Sequence, residues 1–199
     1  MNRASRLATV AFATLALAGA STAHATTVLK MSLKYLATKS SSVAVAKVED
    51  VAARYDTNKE IYTYVTLRVL DPVKGSKKDD LITIRQLGGE VGNIASIVPG
   101  MPTFKKGEEV VVFLTQKGRG GYPEIMGLQQ GKYAIREDQS GVKRVRNELD
   151  STDLVDASGR MLENLKVTPD TPLQSFLAGL RGTLGEAGKI QMDPTPATE

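Results

Sequence analysis

A strictly alternating run of side chains constrains the fold of this chain more than any other feature. In residues 61–69 the odd-numbered Ile, Thr, Val, Leu and Val would point to one side of an extended strand, and the even-numbered Tyr, Tyr, Thr and Arg to the other. A second β-branched run, VAVAKVEDVAARY, precedes it across a polar turn at residues 56–59. Two such runs joined by a turn predict a long β-hairpin.

Further strand-like runs continue to residue 146: LITIRQL, VVVFL, EIMGL, KYAIRE and VKRVR. We expect a break at Asp71-Pro72, a glycine-rich loop over residues 88–102 and a hairpin turn at residues 138–141. Turn signals recur about every 8 to 12 residues without an intervening helical pattern. The sequence therefore predicts a mainly β fold, a small antiparallel, partly open, OB-like barrel over residues 43–146. The unbroken apolar run VVVFL indicates a strand buried on both faces.

An N-terminal segment, residues 26–42, contains a short helical pattern. Ser32 is its predicted N-cap, and the following one or two turns carry Leu33, Leu36 and Ala37 on one side. The serines that follow end the helix before the first strand.

A C-terminal segment, residues 147–185, contains a longer helix. Thr171 is its predicted N-cap, with Pro172 at the first helical position and Gln174 completing a capping box. An apolar stripe follows: Leu173, Phe176, Leu177, Leu180 and Leu184. This stripe predicts a helix docked on the barrel as a lid or plug, and a partner-binding helix is the alternative. Residues 186–199 are predicted to be disordered.

The first 25 residues have the layout of a secretory signal peptide. Arg3 and Arg6 precede an uncharged apolar run, and small residues lead to an A-x-A cleavage site that ends at Ala25. The apolar run is shorter than the about 20 residues that a transmembrane helix needs. We therefore expect cleavage after Ala25 and an exported protein, periplasmic or extracellular, with no membrane anchor.

Cleavage would also remove His24, the only histidine, from a chain that contains no cysteine. Without imidazole or thiol, Ser-His-Asp catalysis, Cys-His catalysis and zinc sites built on His or Cys are excluded. Loss of Arg3 and Arg6 lowers the formal net charge from +4 to +2. So small an excess of positive charge does not indicate nucleic-acid binding. We expect no metal, no cofactor and no nucleic-acid partner.

Three blocks, IYTYVTLRV…VKG, LGGEVG…VPGMPTFKKGEEVVVFL and MGLQQGKYAI, resemble in this order a set of exported bacterial proteins of unassigned function. The resemblance covers about residues 43–136 and implies export and a β domain, without supplying an activity. A weaker resemblance is to OB-type barrels of the netrin and metalloproteinase-inhibitor kind, through a V-x-V-x-K-V opening strand and an alternating second strand ending near Lys-Gly. Those inhibitors act through an N-terminal cysteine, so only the fold would carry over.

Several motifs resemble ligand or catalytic sites, and a structural role is the favoured interpretation of each. Gly88-Gly89-Glu90 follows a strand as a phosphate-binding loop would, but both the GK[ST] ending and the G-x-G-x-x-G spacing are missing. Ser140 and Lys143 match S-x-x-K in a hairpin turn instead of a helix. A carboxylate pair for glycoside hydrolysis would come from Glu90, Glu108, Glu109 and Glu124. Asp56, Asn58 and Glu60 lack the remaining residues of a calcium loop.

The candidate binding residues form two groups. A basic patch on the last hairpin comprises Lys132, Arg136, Lys143, Arg144 and Arg146, beside Tyr133. Tyrosines and glycine-rich loops at one end of the barrel contribute Tyr62, Tyr64, Gly88, Gly89, Glu90 and Tyr122. OB-type barrels bind strands or sugars across such faces, although a solvated strand face also explains the basic patch.

We therefore expect an exported binding module whose partner is a secreted protein or a glycan. The alternatives are a carboxylate- or Ser-Lys-dependent hydrolase and a structural envelope protein.

Overall fold

The structure is a computed structural model that describes residues 26–116, 118, 120–147, 149, 152–155 and 170–192. In chain order its elements are β1 (Thr26–Leu29), α1 (Leu33–Lys39), β2 (Ser42–Tyr55), β3 (Ile61–Lys74), β4 (Leu81–Leu87), β5 (Gly89–Val91), β6 (Ile94–Ser96), β7 (Glu109–Leu114), β8 (Lys132–Glu137), β9 (Lys143–Arg146), β10 (Thr152–Val155), β11 (Thr171–Pro172) and α2 (Leu173–Met192). A 3-10 helix, Leu128–Gly131, precedes β8. The predicted signal peptide lies outside the described residues.

Seven strands form one antiparallel sheet in the order β11-β9-β8-β7-β2-β3-β4. The predicted hairpin is confirmed as β2 and β3, and register shifts along their pairing bend β2, which also pairs with β7. The sheet does not close, because β4 and β11 are its two edges. A mainly β fold with a partly open small barrel is therefore confirmed.

The sheet has a core on each face. The barrel core consists of Ala46, Val48, Val65, Leu67, Ile84, Phe104, Val110, Val112 and Leu114. On the other face, the helix core joins α1 and α2 to strands β2, β7, β8 and β9. Successive residues of β7 therefore enter alternate cores, so that Val112 lies in the barrel core and Phe113 in the helix core. This alternation confirms that the VVVFL strand is buried on both faces.

Helix α1 forms as the sequence predicts. The Ser32 hydroxyl accepts a hydrogen bond from the Tyr35 backbone N–H at 3.1 Å, and Leu36 and Ala37 are buried. At the other end, the Lys74 ammonium donates to two main-chain carbonyls, those of Ala37 at 3.1 Å and Thr38 at 2.8 Å. A cation at this position satisfies terminal carbonyls of the helix and complements its dipole.

Helix α2 docks on the sheet through its apolar stripe. Leu173, Phe176, Leu177 and Leu180 are buried in the helix core, and Leu184 packs against its margin. The Phe176 ring lies 4.9 Å from that of Tyr133, which in turn contacts Phe113. Burial of each of these side chains contributes roughly 1.5–3 kcal/mol. Among the described residues, no helix combines the length and apolar character needed to cross a membrane.

The predicted break at Asp71-Pro72 is wrong, because β3 continues to Lys74. A register shift next to Ala44, the partner of Pro72, relaxes the pairing there. Proline is tolerated beside such an irregularity because it lacks the N–H that a regular ladder would use.

Two further predictions about local structure are wrong. The run EIMGL is not a strand: only Ile125 bridges to Leu114, and the left-handed Gly127 (φ 72°) then turns the chain into the 3-10 helix. The predicted loop at residues 88–102 contains the β5–β6 hairpin, which forms a separate two-stranded sheet. A further pairing, parallel between β1 and β10, has no counterpart in the predicted antiparallel barrel.

The ends of the C-terminal helix also differ from the prediction. It begins at Leu173, because Thr171 and Pro172 pair with β9 as a short strand. It ends at Met192, so residues 186–192 are helical although disorder was expected there. Residues 193–199 lie outside the described part of the chain.

Candidate functional site

Strand β3 directs Tyr62 and Tyr64 to the face of the sheet opposite the barrel core. Every second residue of β3 from Ile61 to Val69 is buried, and Val65 and Leu67 are completely enclosed. Because side chains alternate along a strand, the residues between them point to the other face. The two tyrosines are half-buried and lie outside the helix core.

An arginine covers each of these tyrosine rings. Arg54 on β2 is the direct partner of Tyr62, and Arg85 on β4 is the direct partner of Tyr64. Each guanidinium reaches diagonally across the sheet: the Arg54 Cζ lies 3.8 Å from the centroid of the Tyr64 ring, and the Arg85 Cζ lies 4.2 Å from that of Tyr62. Diagonal neighbours are within reach of long side chains, and both distances are typical of cation–π contacts.

Tyr122 completes the group from the loop after β7. Its ring packs edge-to-face against Tyr64, with centroids 5.3 Å apart and ring planes at 77°. The backbone ties this loop to β4, because the Arg85 N–H donates to the Pro123 carbonyl at 3.2 Å. Gly120 of the same loop lies so close to the Arg85 guanidinium that a Cβ would come within 2.7 Å of Nη1. We call Arg54, Tyr62, Tyr64, Arg85 and Tyr122 the arginine–tyrosine face.

A carboxylate borders this face at Tyr62. The Tyr62 hydroxyl donates to Glu60 Oε2 at 3.1 Å. This hydrogen bond raises the pKa of Tyr62, because ionisation would remove the donor and place a phenolate beside the carboxylate. Further along β3, Arg68 forms a 2.8 Å ion pair with Glu49, so the two charges compensate each other. The hydrogen bond from Arg68 lowers the pKa of Glu49.

The structure thus brings three of the predicted binding residues together, and it adds two arginines that the sequence analysis missed. A signal for them existed. When the β2–β3 hairpin is paired outward from its turn, Arg54 lies opposite Tyr62. The alternating pattern of LITIRQL places Arg85 on the same side of β4 as Thr83.

The glycine-rich loop has a structural role at its first two residues. Gly88 (φ 93°) accepts a hydrogen bond from the Thr63 hydroxyl at 2.7 Å and donates to the Ile61 carbonyl at 2.8 Å. Gly89 (φ 137°) has no room for a side chain, because its Cβ would overlap the Thr63 hydroxyl. Positive φ and close backbone approach both require glycine. Glu90 follows on the separate β5–β6 hairpin, opposite Ala95, with an exposed side chain.

The predicted basic patch is divided by ion pairing and burial. Lys132 is largely buried: its ammonium lies 2.7 Å from Glu108 Oε1, donates to the Thr103 carbonyl and faces the Phe104 ring. Tyr133 points to the opposite face of β8, where it is part of the helix core. Lys132 and Tyr133 therefore contribute to packing within the protein.

The remaining basic residues lie on the β8–β9 hairpin. Arg144 donates through Nε to Asp138 Oδ2 at 2.7 Å and through Nη1 to the Asp170 carbonyl at 3.2 Å. Its direct strand partner is Arg136, which is exposed. Arg146 is half-buried, and its Nε atom is enclosed. On this hairpin, Arg144 is therefore held by an aspartate.

The motifs with a possible catalytic role occupy ordinary structural contacts. Lys143 Nζ lies 2.6 Å from Glu109 Oε2, whereas Ser140 Oγ donates to Asp138, so the S-x-x-K pair is engaged with two different carboxylates. The Asp56 carboxylate accepts the backbone N–H groups of Asn58 and Glu60 and so forms the turn between β2 and β3. Within the described ranges, no cluster of three His, Cys, Asp or Glu residues could hold a metal ion.

Neither a scan against protein-family models nor a search of the curated proteins gave a match to this chain. Function must therefore be inferred from the geometry of the surface itself.

Proposed function

We propose that this chain is an exported binding module that contacts an acidic segment of a protein partner through the arginine–tyrosine face. One observation carries the proposal: two arginine Cζ atoms lie over neighbouring tyrosine rings, 3.8 and 4.2 Å from the ring centroids. An aromatic ring restrains a guanidinium that lies over it, and the N–H groups of Arg54 can then bind a carboxylate. Less side-chain entropy is then lost when a carboxylate binds, which favours recognition of Asp or Glu side chains.

The neighbourhood of this face favours a protein partner over a polyanionic glycan. Leu87, the direct strand partner of Tyr62, is 38% exposed. An exposed leucine among tyrosine and arginine side chains matches the composition of protein interfaces, in which Tyr and Arg are frequent hot-spot residues. A sulfated or carboxylated polysaccharide would gain little from the leucine.

Export is the second part of the proposal, and the sequence of residues 1–25 supports it. The resemblance of residues 43–136 to exported bacterial proteins supports the same compartment. The mass of the protein recovered outside the cytoplasm should correspond to a chain that begins at Thr26. A mature chain that retained residues 1–25 would contradict export by this route.

Site-specific photo-crosslinking in cells that export the chain tests the proposed surface. A benzophenone amino acid replaces Leu87, inside the face, or Val142, which is 43% exposed on the β8–β9 turn. We expect an adduct of discrete mass that contains peptides of a second protein from position 87, and none from position 142.

Two arginine variants test whether the stacked guanidinium matters. Arg54→Gln should reduce the adduct at least fivefold, because it removes a charge that each carboxylate contact needs. Arg68→Gln is the matched control, since Arg68 lies on the same face of β3 but is paired with Glu49. Equal adducts from positions 87 and 142, or an adduct indifferent to Arg54→Gln, would contradict the proposal. An adduct whose added mass is removed by glycosidases and contains no foreign peptides would identify a glycan instead of a protein.

A further inference from the structure

The β5–β6 hairpin carries aliphatic side chains that face solvent. Ile94 is 57% exposed, and Ile97, directly after β6, is 87% exposed. Ala95, which lies between them, is exposed as well. Single exposed apolar residues are common on protein surfaces, but these three lie together in one short segment. Such a cluster indicates a contact surface.

The outer strand of this hairpin, β6, is uncharged and has a free edge. From Val91 to Phe104 the sequence contains no charged residue, and the nearest charge before this stretch, Glu90, belongs to β5. Within the described part of the chain, β5 is the only strand that pairs with β6. Proteins usually protect a free edge with charged side chains, and an uncharged apolar edge favours pairing with another strand.

The turn of the hairpin determines which backbone groups reach the free edge. Val91 pairs with Ile94 across a two-residue turn. The pair that flanks such a turn is hydrogen-bonded, and along an antiparallel ladder hydrogen-bonded pairs alternate with pairs whose backbone groups point outward. The N–H and C=O groups of Ala95 therefore point away from β5, and extension of β6 gives those of Ile97 the same direction.

We propose that β6 pairs with β6 of a second copy of this chain, antiparallel and about a two-fold axis at Ser96. In this register Ala95 of each copy lies opposite Ile97 of the other, so that the outward backbone groups bond each other and a large side chain lies beside a small one. The two hairpins then form one continuous sheet. This pairing stabilises them, because a two-stranded sheet is marginally stable by itself.

The charge of the strand is the reason for choosing a second copy as the partner. An uncharged strand offers no ion pair to an acidic or a basic segment, whereas two copies of it meet without like-charge repulsion. The formal net charge of the whole chain is also small, so two copies repel each other only weakly. One short strand buries less area than the about 1,600 Å² of a typical stable interface, so we expect a reversible dimer.

This surface is separate from the arginine–tyrosine face. At the base of the hairpin, a Cβ on Gly89 would contact Thr63 and Ala53. Tyr62 and Tyr64 point to the opposite face of β3 from Thr63. A dimer through β6 therefore leaves the proposed partner site open, and the two proposals can fail independently.

Disulfide trapping tests the register, because the chain contains no cysteine. In Ser96→Cys the two thiols would face each other across the axis, with Cα atoms about 4.5–5.5 Å apart, which a disulfide can span. Diamide, which takes up the two thiol hydrogens, should link this variant at least about tenfold faster than Ser175→Cys, exposed on α2. Asn93→Cys is exposed on the same hairpin but displaced from the axis, so it should link no faster than Ser175→Cys.

Sedimentation equilibrium of the purified mature protein, from about 10 µM to 1 mM, measures the association itself. We expect an average mass that rises with concentration towards that of a dimer. Ile97→Lys should weaken association at least about tenfold, because an ammonium replaces an apolar contact. Its melting temperature should stay within about 2 °C of the wild type, since Ile97 is mostly exposed. Leu81→Lys, at an exposed leucine on the edge strand β4, is the matched control and should associate normally.

Three results would overturn the proposal: a monomer at every concentration, association that Ile97→Lys leaves intact, or linking of Ser96→Cys no faster than that of Ser175→Cys. A monomer that binds phosphatidylcholine vesicles, and loses this binding in Ile97→Lys, would assign the hairpin to a lipid surface instead.

Discussion

Tyr62 joins two charged neighbours, since its hydroxyl donates to Glu60 and its ring lies under the Arg85 guanidinium. The hydrogen bond to Glu60 is the main reason that the pKa of Tyr62 is raised. We therefore predict that Glu60→Gln lowers the pKa of Tyr62 towards its ordinary value. NMR titration of ring-labelled tyrosine measures this pKa directly. Glu90→Gln removes an exposed carboxylate on another sheet and should leave the titration unchanged; equal shifts in both variants would contradict a local cause.

Gly89 shows why the glycine-rich loop has the sequence it has. Alanine at this position would adopt an unfavourable φ of 137°, overlap the Thr63 hydroxyl and approach the Ala53 Cβ to 2.9 Å. We predict that Gly89→Ala lowers the free energy of unfolding by about 2–4 kcal/mol, from backbone strain and overpacking together. Urea denaturation measures the change.

Gly92→Ala separates the two causes. Gly92 also has positive φ, 60°, but a Cβ there would meet nothing within 4 Å. Its loss should be only about 1–2 kcal/mol, the cost of the left-handed backbone alone. Equal losses at both positions would show that contact with Thr63 is unimportant.

At the scale of the element, the β8–β9 hairpin depends on one carboxylate. Asp138 accepts hydrogen bonds from the Ser140 hydroxyl, the Arg144 guanidinium and the Val142 backbone N–H. These contacts, led by the Ser140 hydroxyl, hold the pKa of Asp138 well below its usual range. A carboxyl whose pKa is lower in the folded protein stabilises it above the unfolded pKa, about 3.9, and loses that effect as the pH falls towards the folded pKa.

We therefore predict that Asp138→Asn lowers the urea midpoint at pH 7 and that its difference from the wild type shrinks as the pH falls below about 4. Urea titrations at a series of pH values provide the measurement. Asp50→Asn is the control, because its ion pair with Lys106 is 3.9 Å long and exposed. A difference from the wild type that stayed constant with pH would contradict the role of the Asp138 charge.

Local sequence patterns predicted the elements whose structure is decided locally. The alternation in residues 61–69 and the cap at Ser32 are properties of neighbouring residues, and both are confirmed. EIMGL failed because its own Gly127 adopts a left-handed conformation, which turns the chain away after the single bridge between Ile125 and β7. Pro72 failed for the same kind of reason, since the bulge that accommodates it depends on pairing with β2.

At the scale of the molecule, local sequence patterns could not predict the contacts between distant segments. The parallel pairing of Thr26 with Thr152 leaves no mark on either segment. The same holds for the candidate site: Tyr62 and Tyr64 follow from one strand, whereas the contact of Tyr122 depends on a loop that folds back onto β4. Likewise, Lys132 could be placed on a basic strand, but its contact with the Phe104 ring depends on the loop before β7.

The two cores share strands β2 and β7, so the protein should unfold as one unit. Leu177 is 1% exposed in the helix core, and Leu177→Ala should lower the free energy of unfolding by about 2–5 kcal/mol. Leu184→Ala, the same change at the partly buried end of the stripe, should lower the free energy of unfolding by less.

Because Val112 and Phe113 link the cores through one strand, we expect Leu177→Ala to reduce hydrogen-exchange protection equally at Ile84 in the barrel core and Val145 in the helix core. Protection lost at Val145 but retained at Ile84 would show instead that the helix layer opens independently of the barrel.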